Sequence, residues 1–175
     1  MQTEKDQIRY LLDRLEIQDV IARYAVGQDD HQADRDVRTQ WDTVFTPDAV
    51  LDYTAGGFRE GTYVEVAEWM RGRAAGPDGP EQSGRMDVFT AWQHMLGLPV
   101  VEVNGDTATA RTDLLATHRG RPGPNGGWYF NDACTFHDRL ARTTNGWRIT
   151  HRRLVLHWAN AFPTIDDPSG SDDLN

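Results

Sequence analysis

Two histidines, His94 and His118, lie in apolar, β-prone runs on either side of an Asn104-Gly105 turn, within FTAWQHMLGLPVVEVNGDTATARTDLLATHRG (residues 89–120). Imidazole titrates near neutrality, so one ring can take a proton in one step and return it in the next. Two such rings facing one cavity could strip a proton from a bound molecule and hold or protonate a departing group. Strand alternation puts His118 on the face of Thr112, Leu114 and Ala116, which suits a cavity wall and an ordinary core equally. The expectation is a catalytic pocket inside a curved sheet.

The elements that must position these rings follow from the hydrophobic pattern. Ile8, Leu11, Leu12, Leu15, Val20, Ile21 and Tyr24 recur at helical steps, which predicts helix over residues 3–27, either one bent helix or two, with Thr3 and Asp6 as an N-terminal capping pair. A second helix is expected over 33–45, with Val37, Trp41, Val44 and Phe45 on one side, then a turn at 46–49 and a short strand at 49–54. A third helix is expected over 62–75, with Val64, Val66, Ala67 and Met70 inward, followed by a Gly/Pro loop at 76–84. From about residue 86 the pattern changes to strands: a hairpin through Asn104-Gly105, then two long strands at 128–142 and 146–162. Helices first and an antiparallel meander afterwards define an α+β domain, its strongly curved sheet and its helices enclosing a conical cavity. Residues 1–162 form the domain, and the acidic stretch 163–175 is expected to be a flexible tail.

Composition narrows the function. The chain has 175 residues and a formal net charge of −9, which disfavours nucleic acid and anionic membrane surfaces as partners. Its N-terminus is charged and lacks an apolar core, so no signal peptide is expected, and no apolar run is long enough to span a bilayer; a cytoplasmic location is the default. The one cysteine, Cys134, lies in an apolar stretch and is expected to be buried and inert.

The segments IQDVIARYAVGQDD, FTPDAVLDY, QHMLG and GWRITHRRL, in this order and spacing, resemble the nuclear transport factor 2-like superfamily, in particular its SnoaL-like and scytalone dehydratase-like branch. The resemblance covers about residues 8–162. It implies a conical α+β barrel, a small-molecule substrate and a homodimer or higher homo-oligomer. It also carries four residues over as catalytic: Asp29 as the helix aspartate, Tyr53 as the tyrosine ending the first strand, His94 as the histidine of a QH pair, and His118 as the second histidine. The family's second carbonyl-polarising tyrosine falls at Gln28, and its serine and asparagine on the next strand have no clean match, although Asn131 and Asp132 lie nearby. The bile-acid dehydratase and hexachlorocyclohexane dehydrochlorinase branches look similar around Tyr24, Asp29 and His94.

Elimination of water needs a base beside a carbonyl, an acid for the leaving hydroxyl, and a donor for the developing enolate oxygen. The resemblance implies His94 as base oriented by Asp29, Tyr53 donating to the carbonyl oxygen, and His118 protonating or holding the leaving group. Tyr24, Asn131, His157 and Trp92 are the candidates for substrate binding; His157 alternates with Val155 and Ala159, and Trp92 serves equally as core. Asp138 with Arg152 or Arg153 is expected to form a structural ion pair. No cofactor or metal is expected. A metal site formed by His94, His118, His157 and Asp29 is the first alternative. The others are a cyclase, isomerase or dehydrohalogenase using the same pair, and a ligand-binding or scaffolding domain without turnover.

Overall fold

The computed structural model describes residues 3–30, 32, 37–77, 79–123 and 126–164. The elements run α1 (Glu4–Asp30), α2 (Arg38–Trp41), β1 (Phe45–Asp52), β2 (Glu60–Thr62), α3 (Tyr63–Arg71), β3 (Phe89–Leu96), β4 (Val100–Asn104), β5 (Thr107–Gly123), β6 (Gly126–Thr143) and β7 (Gly146–Pro163). The strands form one mixed sheet in the order β2-β1-β7-β6-β5-β3, with β4 also paired to β5. All pairings are antiparallel except β1 with β7. The sheet is strongly curved but does not close, so the expected barrel is an open cone. Register shifts between Phe45 and Val50, Ala133 and Cys134, and Arg139 and Leu140 mark where strands bend, because an extra residue on one strand increases local twist.

Several boundaries differ from the sequence expectation. The first helix is a single element that continues through Asp30. Only part of its apolar pattern is buried: Ile17, Val20, Ile21 and Tyr24 enter the core, whereas Ile8, Leu11 and Leu12, before the Asp13 contact with the sheet, and Leu15, on the outward face, are exposed. The second helix is one turn, Arg38–Trp41, and the rest of its expected N-terminal part, residues 33–36, lies outside the described residues, as does His31. Residues 46–49, read as a turn, belong to β1; the register shift there accommodates Pro47, which has no N–H to give a ladder. Helix α3 stops at Arg71, because Gly72 takes φ 73°. Its start is fixed by a reciprocal capping box between Thr62 and Glu65. The tail from residue 165 onward lies outside the described residues.

The core lies between α1 and the concave face of the sheet. Tyr24 stacks on Trp41 at 4.9 Å and meets Phe136 edge-on at 5.4 Å. Two polar clamps fix α1 over the sheet. At one end Arg142 makes paired 2.7 Å bonds to Asp13, while the backbone N–H of Trp147 donates to Glu16 at 2.9 Å. At the other end the carbonyl of Gln28, one of the last-turn groups with no helical partner, accepts from Trp92 Nε1 at 2.9 Å and from Arg71 at 2.7 Å. Arg152 and Asp138 form the expected ion pair, with two 2.7 Å bonds and both side chains fully buried.

Candidate active site

The cone holds a cavity of about 620 Å³. Tyr24 and Gln28 of α1, Tyr53 after β1, His94 of β3 and His118 of β5 all line it. Most of the remaining wall is apolar, including Trp69, Leu114, Phe130 and Phe136. Such a site takes a compact, largely apolar molecule and orients it through a few polar groups.

Asp29 is held in the last turn of α1, where the negative end of the helix dipole disfavours a carboxylate. His94 compensates twice: its Nδ1 lies 2.7 Å from Asp29 Oδ1, and its backbone N–H donates to Oδ2 at 2.8 Å. A carboxylate only accepts, so Nδ1 carries a hydrogen and Nε2 remains the basic atom of the neutral ring. The carboxylate thereby fixes both the tautomer and the ring plane, as the third member of a catalytic triad does.

His118 sits edge-on to His94, with ring centroids 6.1 Å apart, and packs on Phe89 at 4.5 Å. Its Nδ1 lies 3.1 Å from the Phe130 carbonyl, which only accepts, so Nδ1 is the donor and Nε2 an acceptor. Burial, with a smaller push from the charge of His94, lowers its pKa to about 4, against the opposing pull of the Phe130 carbonyl and Asp29. His118 is therefore neutral at physiological pH. It can receive a hydrogen bond from a ligand hydroxyl but holds no acidic proton to give.

Tyr24 and Tyr53 share a 2.7 Å hydroxyl–hydroxyl hydrogen bond. Burial raises both pKa values, so both remain phenols. One O–H is used in the pair and the other is left to donate. Arg152 lies beneath them, its guanidinium carbon 4.3 Å from the Tyr24 ring centre, and draws the tyrosines' pKa values back down in part.

The other candidates are placed differently. Trp92 is buried behind the cavity wall: its indole N–H is bound to Gln28, and Arg71 stacks 4.6 Å over its ring. Asn131 pairs with Thr117 and Asn160, one residue out of phase with the lining residues Phe130 and Asp132, and so faces away from the cavity. His157 is exposed and bonds Thr135 Oγ1 at 2.8 Å. The register jumps from Ala133–Trp158 to Cys134–Leu156, leaving His157 as the extra residue, so the alternation with Ala159 does not hold. His157 thus cannot meet His94 and His118, and among the described residues no group of three or more His, Cys, Asp or Glu side chains is placed to hold a metal ion.

Three lining groups went unassigned from sequence. Gln28 Oε1 is buried with no hydrogen-bond partner and borders the cavity, so a ligand donor would satisfy it. Asp132 enters the cavity from β6, where counting from the register of β5 rather than along the loop would have placed it. Cys134 borders the cavity too, but burial and the nearby Asp132 push its thiol up to about 12, leaving it unreactive.

An N-terminal helix packed over a large, curved, open mixed sheet is the architecture of the nuclear transport factor 2-like superfamily. Residues 9–153 match the SnoaL-like domain, and the chain belongs to that family. It is 34% identical over 145 residues to an uncharacterized protein of Mycobacterium tuberculosis, covering 80% of this chain and 82% of that one. Among solved structures it is similar to a scytalone dehydratase-like protein of Novosphingobium aromaticivorans (TM-score 0.63, 17% identity, 89% of this chain and 91% of the other). It is also similar to the hexachlorocyclohexane dehydrochlorinase LinA-type3 of Novosphingobium barchaimii (TM-score 0.68, 15% identity, 91% and 96%). At these identities the structural likeness establishes the fold. No helix among the described residues is long and apolar enough to cross a membrane.

Proposed function

We propose that the protein is a cofactor-independent lyase, a dehydratase that eliminates water from a small, cyclic or polyketide-like hydroxy-carbonyl compound. The observation that carries this is the Asp29–His94 pair, which leaves a basic Nε2 on a residue lining an apolar cavity. In this reading Nε2 removes the proton beside the carbonyl, and Asp29 stabilises the imidazolium that forms. The free hydroxyl of the Tyr24–Tyr53 pair donates to the carbonyl oxygen as it gains enolate charge. His118 holds the leaving hydroxyl by accepting its hydrogen. The dehydrochlorinase-like neighbour favours one second reading, in which the same base expels a halide.

The test is turnover of a panel of β-hydroxy-carbonyl and β-halo-carbonyl compounds, followed by absorbance of the conjugated product, for wild type and His94→Ala. Loss of about 10²–10⁴-fold on His94→Ala is expected. Turnover of the hydroxy compounds selects the dehydratase, and turnover of the halo compounds alone selects the dehydrohalogenase. Tight binding without turnover would replace both with a binding domain.

Self-association is part of the same proposal. Trp158 and Phe162 on the outer face of β7, and Ile8, Leu11, Leu12 and Leu15 on α1, are large apolar side chains exposed in the single chain. Light scattering at micromolar concentration should give at least a dimer mass; a monomer would refute it.

A further inference from the structure

The strand register sets His94 and Asp132 on one rung of the sheet. His94 of β3 pairs with Ala116 of β5, and Ala116 pairs with Asp132 of β6. The next position on that rung, in β7, is Ala159. Two strand spacings of about 4.8 Å separate the backbones of His94 and Asp132. Both residues line the cavity, and only the methyl of Ala116 stands between them. Both side chains lie on the concave face and are near enough for the His94 charge to act on Asp132. A ligand group resting on Ala116 would have the imidazole on one side and the carboxyl on the other.

We propose that Asp132 is the catalytic acid, the group that gives its proton to the leaving hydroxyl while His94 takes the proton beside the carbonyl. This rests on the elimination proposed above and assigns the half of it that His118 does not supply. His118 is neutral, and its one N–H is held by the Phe130 carbonyl. Cys134 and the two tyrosines are pushed to higher pKa by burial. Among the described lining residues, Asp132 is the one carboxyl group. Burial raises its pKa above the ordinary carboxylate value, against the opposing pull of the His94 charge and of Cys134, which favours the protonated form that an acid needs.

The step balances within the site. The C–H electron pair becomes the new C=C bond. The C–O pair leaves with the oxygen, which takes the Asp132 proton and departs as water. Asp132 is left as a carboxylate and His94 as an imidazolium, and transfer of that proton from Nε2 to Asp132 through the released water restores the starting state. The other titratable groups lining the cavity with Asp132 are His118 from β5, Cys134 on its own strand, Tyr24 from α1, Tyr53 after β1, and Arg85; Asp29 of α1 is bonded to His94 and does not line the cavity. β7 contributes Leu154 and Leu156, which do not titrate.

The test compares Asp132→Asn with wild type on two substrates that share one skeleton. One carries a β-hydroxyl; the other carries a β-halide, which leaves as an anion and needs no proton. Asp132→Asn should lose about 10²–10⁴-fold in kcat on the hydroxyl compound. Its bell-shaped pH profile should reduce to a single limb, and the loss on the halide compound should be markedly smaller than on the hydroxyl compound. Equal losses on both compounds, or no loss on the hydroxyl compound, would overturn the assignment. Should wild type turn over neither compound, the elimination itself fails. The acid role then falls with it; where the hydroxyl compound does turn over, a carbon-13 NMR titration of the aspartates is the second check: an Asp132 midpoint within the ordinary carboxylate range refutes the acid, and a raised midpoint that moves on His94→Ala supports it.

Discussion

Replacing Asp29 by asparagine should do more damage to the proposed chemistry than replacing it by alanine. Asp29 meets His94 at two points: Oδ2 accepts from the backbone N–H at 2.8 Å, and Oδ1 faces Nδ1 at 2.7 Å. The backbone N–H can only donate, so the asparagine oxygen must take the Oδ2 position. Its NH₂ group then faces Nδ1 and turns that nitrogen into an acceptor. The ring hydrogen moves to Nε2, and the base is gone. In a serine-protease triad the same exchange lowers kcat about 10⁴-fold by fixing the wrong tautomer. Here the two side chains are 10% and 20% exposed, and water can partly compensate, so about 10³-fold is expected. Alanine removes the orienting partner but leaves the ring free to keep a basic Nε2, and should cost less. Stability should hardly follow. The lost charge-assisted bond to the His94 backbone is worth about 1.5–3 kcal/mol. The asparagine keeps a neutral version of it and relieves the unfavourable carboxylate at the α1 C-terminus, a gain of about 0.3–1 kcal/mol. The assay is kcat on the best compound of the panel alongside urea denaturation for both variants. Asparagine as active as alanine or more so, or a large stability loss on asparagine, would refute this account of the dyad.

Two further outcomes follow from buried charges. His118 has a folded pKa of about 4 against an ordinary 6.5, so between these values the unfolded chain binds more protons than the folded one. Its stabilising contribution is fully present above pH 6.5 and is lost as pH falls toward 4; the limit is about 3 kcal/mol at 1.36 kcal/mol per unit. Denaturation from pH 7 to 4 should show this slope in wild type and a shallower one in His118→Gln, and parallel curves would contradict it. For the fully buried Arg152–Asp138 pair, Arg152→Met alone should cost about 3–5 kcal/mol by stranding the carboxylate. Arg152→Met combined with Asp138→Leu should recover most of that loss, and a double variant no more stable than the single would count against it.

How much of this was legible depended on which interactions write themselves into local pattern. The long strands, the Asn104-Gly105 turn and the α3 start are local: alternation, a glycine at φ 61° and a Thr62–Glu65 box leave direct marks. The α2–β1 region left a misleading mark. Thr46-Pro47-Asp48-Ala49 has turn composition, but pairing of β1 with β7 overrode it and absorbed the proline at a register shift. The apolar stripe of α1 was real in sequence, yet half of it has no sheet to cover. Nothing local distinguishes a residue buried in its own chain from one reserved for another surface.

The site divides in the same way. Asp29, Tyr53, His94 and His118 were located by the order of the family segments, and the structure gathers them around one cavity or against a residue that lines it. Asn131 comes from the neighbourhood of a family position with no clean match, and His157 from counting along a strand; both placements are only as good as the register they start from. The side-chain period in a strand is two, so one residue exchanges the cavity for the outer face. The extra residue at His157 breaks the count on β7, and the register shift between Gly120 and Gly123, next to the β5–β6 turn, hides the phase on β6. Pairing supplies what the count lacks: Ala116 opposite both His94 and Asp132 fixes which face β6 presents. The same relation that moves Asn131 out of the cavity brings Asp132 in. Asp132, named from sequence only as a neighbour of Asn131, is therefore the carboxyl on the same rung as the proposed base, where the elimination proposed above needs an acid.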